Sequence, residues 1–179
     1  YLISGIRGSG KTVFMTDIQK RFRKEEDWIV TELNPEKDLL TALAAKLSSE
    51  NSLAAIFKTA KINLSFWGLG LQVSGAAPIT DIEVAISRML TTLKSHNKKL
   101  LITIDEVTSN QYIREFAAAF QILIRQDLPV YLLVTGLYEN INNLQNEDSL
   151  TFLYRAPRIN LEALNMTSVA SNYSKNLNL

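Results

Sequence analysis

The sequence predicts a three-layer α/β/α sandwich around a mostly parallel five-stranded sheet, and three observations lead there. Short apolar runs alternate with segments whose apolar residues recur at helical spacing, the order that crossover connections between parallel strands produce. Two of the runs, "KLLITI" and "VYLLV", are apolar almost without interruption, as strands covered on both faces are. Of the 179 residues, 46% are hydrophobic and 21% charged, ordinary usage for a folded domain with a sizeable core.

The elements follow in order. Tyr1 to Ser4 reads as a short buried strand, followed by the glycine loop "GIRGSGKT" and a helix in which Phe14, Ile18 and Phe22 repeat at helical spacing. A second strand lies around Trp28 to Thr31, and Asn34 with Pro35 supplies an N-cap and first-turn residue for a helix through "EKDLLTALAAKLSS". A short helix is expected over residues 52 to 60. Beyond it, Ile62, Leu64 and Phe66, then Leu69, Leu71 and Val73, alternate across Trp67 and Gly68, which predicts a β-hairpin insertion over 62–74.

Thr80 or Asp81 can cap the next helix, whose Ile82, Ala85, Met89 and Leu93 share one face, and Leu100 to Ile104 form the third strand. Ile113, Phe116, Phe120 and Ile124 mark a further amphipathic helix. "LPVYLLVTG" is the fourth strand, and "RAPRINL" offers a short fifth around Ile159. The binding edge of such a sheet lies at its strand C-termini.

Bulk properties exclude several function classes. The net charge of +1 gives no overall drive toward nucleic acid or an anionic membrane. With no cysteine, thiol catalysis and disulfides are excluded, and one histidine, His96, argues against a zinc ligand set. No apolar run approaches the roughly 20 residues of a membrane-spanning helix, and a cytoplasmic location is expected. Tyr1 already opens an apolar run, so the chain reads as a piece of a longer product.

Two motifs carry chemistry. Gly5, Gly10, Lys11 and Thr12 satisfy G-x-x-x-x-G-K-[ST] between a predicted strand and a predicted helix, with Gly8 as an additional glycine. Such a loop wraps a phosphate with its backbone N–H groups, and the helix that follows adds a favourable dipole. The expected nucleotide contacts are therefore Gly5, Arg7, Gly8, Ser9, Gly10, Lys11, Thr12 and Val13. Lys11 reaches the β and γ phosphates, and the Thr12 hydroxyl lies on magnesium.

The second motif is the pair of acids ending the third strand. A buried parallel strand ending in Asp105 places that carboxylate at the same sheet edge as the loop, where it can hold hydrated magnesium. Glu106 lies one residue on and can take a proton from a water attacking the γ-phosphate.

"LISGIRGSGKT" and "LLITIDEV" resemble the Walker A and Walker B motifs of P-loop NTPases with a catalytic glutamate, more narrowly the AAA+ and STAND ATPases. "WIVTELNPEKDLL" is similar to the second strand and helix of bacterial and archaeal ATPases related to the origin-recognition type. "YLLVTGLYENI" resembles their sensor 1 strand, and "YRAPRINLEAL" the segment leading into the helical lid.

The resemblance implies an ATP- and magnesium-dependent hydrolase whose core spans 1–161, with 162–179 starting a truncated lid. It implies that the Thr135 hydroxyl contacts the γ-phosphate or the attacking water, where the residues alone suggest equally a threonine before a Gly136 turn. It also places an arginine finger at Arg155, with Arg158 as the alternative, and hence self-association; surface arginines flanking an edge strand are the other reading. Phe66 and Trp67 on the hairpin are either core or a contact for a protein or DNA partner. Two rival functions stay open: a nucleotide-dependent switch or scaffold with little hydrolysis, and a small-molecule P-loop kinase.

Overall fold

A computed structural model describes residues 1–147, 153–163, 165 and 167. Its sheet has the strand order β2-β3-β4-β1-β5, with β1 (Leu2–Gly5), β2 (Trp28–Leu33), β3 (Lys99–Ile104), β4 (Val130–Gly136) and β5 (Arg158–Leu161). All four pairings are parallel, so every C-terminal strand end faces one edge. The crossovers carry α1 (Lys11–Phe22), α2 (Leu39–Ser49), α3 (Asn51–Thr59), α4 (Ile82–Ser95), α5 (Gln111–Arg125) and α6 (Tyr138–Asn146).

Alternation along the strands divides the core in two, because successive strand side chains point to opposite faces. Leu100, Ile102 and Ile104 join one cluster with α2, α3, α4, α5 and α6, while Leu101, Ile3 and Leu133 pack with Met15 of α1. Phe57 and Phe116 are among the largest wholly buried side chains, each contributing about 1.5–3 kcal/mol by burial. The three layers expected from the sequence are therefore present, with α1 on one face and the other helices opposite. Among the described residues no helix is long and apolar enough to cross a membrane.

Four local expectations change. The first helix turns Lys11, Met15 and Gln19 inward, leaving Phe14 exposed; Gln19 is buried because its amide donates to Thr103 Oγ1 at 2.6 Å and Glu32 Oε2 at 3.2 Å. The second helix starts later than Pro35, because Asp38 and not Asn34 caps it, accepting from Leu40 N and Thr41 N, while Asn34 closes a turn by accepting from Glu36 N. In α5, Leu123 takes the buried place expected of Ile124, which is 48% exposed. Of the two caps offered for α4, Asp81 is the one used, so that expectation stands.

The fourth change removes the hairpin. Residues 62–74 form a compact loop with one 3-10 turn at Ser65–Trp67; Leu64 N donates to Leu71 O, but no strand ladder follows. Gly68 and Gly70 adopt positive φ, which breaks the extended run, and buried Asn63 ties the loop together by donating to Ala76 O at 2.7 Å and accepting from Ser65 N at 3.1 Å. Ile62, Leu64 and Leu71 are buried as the alternation implied, but Phe66, expected on the same face, is 60% exposed, so the apolar pattern held in part and its backbone form did not. Trp67 is half-buried with its indole N–H donated to Ile79 O at 3.0 Å; Phe66 is the exposed aromatic. The lid expected over 162–179 lies almost wholly outside the described residues.

Candidate functional site

The phosphate loop runs from Gly5 at the end of β1 to Lys11 at the start of α1. Gly10 caps α1 in the left-handed conformation, φ 85°, which a side-chain-bearing residue adopts only at a cost of about 1–2 kcal/mol. Because glycine brings no capping side chain, the N–H groups of the first helical turn have no intrahelical acceptor and are open to an anion. Lys11 is 7% exposed, and its ammonium donates to Gly5 O at 3.1 Å and Ile6 O at 2.8 Å, folded over the loop with a third donor remaining. Ser9 is buried, and its hydroxyl has no partner.

A cleft of about 730 Å³ opens over this loop. Arg7, Gly8, Gly10, Lys11, Thr12 and Val13 form one wall, and Glu106 faces them from the end of β3. Gly5 and Ser9 belong to the loop but are not part of this wall.

The acid pair is held by two threonines. Thr12 Oγ1 donates to Asp105 Oδ2 at 2.8 Å, joining the start of α1 to the end of β3. Thr135 Oγ1 donates to Asp105 Oδ1, and accepts the Glu106 backbone N–H at 3.0 Å. The backbone continues the clamp, since Val107 N donates to Thr135 O at 2.9 Å. Glu106 itself sits at φ 53°, a left-handed conformation that costs a non-glycine residue about 1 kcal/mol or more and turns its side chain from the strand into the cleft.

The family resemblance gives Thr135 the γ-phosphate or the attacking water, and the residues alone equally a threonine before a turn. It is 0% exposed, and its hydroxyl is spent on Asp105 and Glu106, so it fixes the acids from behind.

Arg155 and Arg158 lie toward the N-terminal ends of the strands, away from the edge that carries the phosphate loop. Arg158 pairs in register with Leu2 at the start of β1, whereas the phosphate loop leaves the other end of that strand. Arg158 Nη1 donates to Asn142 Oδ1 at 3.3 Å, and exposed Arg155 lines a separate hollow of about 320 Å³ with Tyr1, Ile124 and Tyr131. Neither reaches its own chain's cleft. Ser109 and Asn110 turn the chain: Asn110 caps α5 through Ile113 N, and Ser109 Oγ bonds Glu147 Oε1.

Three residues that the sequence did not single out complete the cleft: Thr108, Leu137 and Asn140. Their signal was weak: Thr108 lies in a small polar turn, and Leu137 and Asn140 follow a strand without any motif spacing that marks them. A second hollow of about 620 Å³ runs beside the outer edge of β2 and touches Asp105, but it contains none of the phosphate-loop residues.

A magnesium ion fits the donor chemistry. One hydroxyl and one carboxylate, hard oxygen ligands on neighbouring elements, suit a cation that completes its shell with phosphate and water. Among the described residues no cluster of three or more His, Cys, Asp or Glu could hold a metal by itself.

No family model and no curated protein matches this chain. Several solved structures share its fold. Cdc6p from Pyrobaculum aerophilum is similar with a TM-score of 0.57 and 12% identity, over 89% of this chain and 38% of that one. The Aeropyrum pernix ORC2 protein in its ADP form gives a TM-score of 0.57 and 13% identity, over 97% of this chain and 45% of that one. The Aeropyrum pernix ORC1 protein in complex with DNA gives 0.54 and 14%, over 89% and 38%. This chain thus spans less than half the length of these proteins, and what it shares with them is the α/β fold.

Proposed function

We propose that the chain is the nucleotide-binding core of an AAA+ or STAND-type ATPase that binds ATP with magnesium and hydrolyses it, passing the nucleotide state to the rest of a larger protein. The observation that carries the reading is the 2.8 Å bond between Thr12 Oγ1 and Asp105 Oδ2 beside a cleft shared by Lys11 and Glu106. The fold supports it: the ORC2 protein with this architecture is known in an ADP form.

In the proposed reaction the loop N–H groups and Lys11 bind the phosphates, and Lys11 offsets charge that builds on the β–γ bridging oxygen. Thr12 and Asp105 hold magnesium, which when bound neutralises phosphate charge. The Glu106 carboxylate takes the proton of the attacking water as the new P–O bond forms on the γ-phosphorus; the bond to the bridging oxygen breaks, and ADP leaves with the electron pair. Thr135 is a positioning residue. Arg155 or Arg158 can act as an arginine finger only on a neighbouring subunit, since both lie away from their own cleft. A DNA partner is compatible with this reading, since the ORC1 protein of similar fold is known in complex with DNA.

The second reading is a switch that binds ATP and turns it over slowly. It rests on Thr135, whose burial removes from the cleft the polar group expected to order the water. ATP turnover and affinity of Glu106→Gln against the unaltered chain decide between them. Turnover falling at least a hundredfold with affinity retained supports the ATPase; equal turnover removes Glu106 as the base.

A further inference from the structure

We propose that the outer edge of β2 is a docking slot for an extended peptide segment of a partner protein, which adds to the sheet as a sixth strand. β2 ends the strand order and pairs with β3 alone, so half of its backbone groups have no ladder partner. The bonds around the strand fix which half. Asp27 O accepts from Lys99 N at 2.7 Å and Thr31 O from Thr103 Oγ1 at 3.3 Å, so the odd-numbered residues turn their backbone groups to β3. The even-numbered ones face away: Trp28 O, Val30 N–H, Val30 O and Glu32 N–H meet no partner among the described residues. Glu32 O points the same way, and the Lys46 ammonium donates to it, standing in for the missing strand.

The space beside this edge has the shape of a strand. The hollow of about 620 Å³ follows β2 from Ile29 to Leu33, walled by Arg23 on the α1 face and by Lys46, Leu47 and Ser49 of α2 on the other. The edge is thus recessed between two helical layers, and that decides the occupant. The β2 edge of a second copy is recessed between its own helices, so two such edges cannot approach to the pairing distance of about 4.8 Å. A lone extended segment, with no helices beside it, can enter. Trp28 and Val30, half-buried on the α1 face, and Ile29 on the opposite face offer such a segment apolar cross-strand neighbours on both sides. Where the slot ends, the exposed Glu32 carboxylate and Asp105 favour a lysine or arginine in the incoming segment.

The probe is a fluorescent peptide of valine alternating with threonine and ending in lysine, added to the intact chain. Saturable binding should slow hydrogen exchange at the Val30 and Glu32 amides, while Ile29 and Thr31, already in the ladder, change little. The same peptide N-methylated at every residue has no backbone donors and should bind at least about tenfold more weakly. Val30→Pro removes an outward N–H and no ladder bond, a change that edge strands tolerate, and should weaken binding about tenfold or more with the circular dichroism unchanged. Lys46→Ala leaves the strand untouched and frees Glu32 O, so it should bind the peptide at least as tightly as the unaltered chain. No binding at millimolar peptide, no protection at Val30 and Glu32, equal binding of the N-methylated peptide, or a folded Val30→Pro that binds normally overturns the proposal. Protection of the two amides that grows with chain concentration and without peptide also overturns it, by making a second copy the occupant.

Discussion

Replacing Thr135 by Val keeps the side-chain volume and removes the hydroxyl that joins β4 to the acid pair. Two bonds are lost: the donation to Asp105 and the acceptance of the Glu106 N–H at 3.0 Å. A hydrogen bond to a charged group contributes about 1.5–3 kcal/mol and a neutral one about 1 kcal/mol. Asp105 is half-exposed, so water recovers part of the first, and the net destabilisation is about 2–3 kcal/mol. With a urea slope of about 2 kcal/mol/M this lowers the unfolding midpoint by about 1 M, which circular dichroism measures directly.

The kinetic signature should separate positioning from contact. Glu106, no longer pinned in its left-handed conformation, loses its aim, and turnover falls more than tenfold while ATP affinity changes much less. Thr135→Ser keeps the hydroxyl and should recover most of both losses. The reasoning is refuted if Val matches the unaltered chain in midpoint and turnover, or if Ser is as damaging as Val.

Gly136→Ala brings a Cβ within 3.0 and 3.1 Å of Ile141 and 3.4 Å of Val107, so overpacking should cost about 1–3 kcal/mol. Adding Ile141→Val, which removes the nearest methyl, should restore part of it; a purely additive double variant contradicts the contact. Asp27 accepts from Lys99 Nζ at 2.7 Å, and that bond holds its carboxyl below the ordinary range near 3.8. The folded value being depressed, the pair's stabilisation is present above the unfolded pKa and disappears as pH falls through the folded one. Asp27→Asn should therefore be slightly less stable at neutral pH, with a gap that closes in acid and shrinks in salt; a gap that stays the same from neutral pH into strong acid would contradict this.

The strand and loop carrying the main chemistry were legible because local rules specify them. An almost uninterrupted apolar run ending in Asp105 and Glu106 has one comfortable place, the centre of a covered parallel sheet, and strand β3 lies between β2 and β4. The glycine loop carries its conformation in its residue types. What failed needed tertiary information. Ile62, Leu64 and Leu71 bury alike in a hairpin or a loop, and only the positive φ of Gly68 and Gly70 decides between them. Thr135 stands at the expected strand end, but whether its hydroxyl faces the cleft or Asp105 depends on side-chain direction across two strands. Asn140 reaches the cleft because α6 docks tightly against Gly136, a contact that no spacing rule announces.

Equilibrium binding of ATP to the unaltered chain and to Lys11→Ala, with magnesium, tests the central claim most directly. The account predicts saturable binding by the unaltered chain and affinity at least a hundredfold lower in Lys11→Ala, since the buried ammonium over the loop is the main fixed positive charge at the phosphates. Equal affinity in the two chains would contradict it.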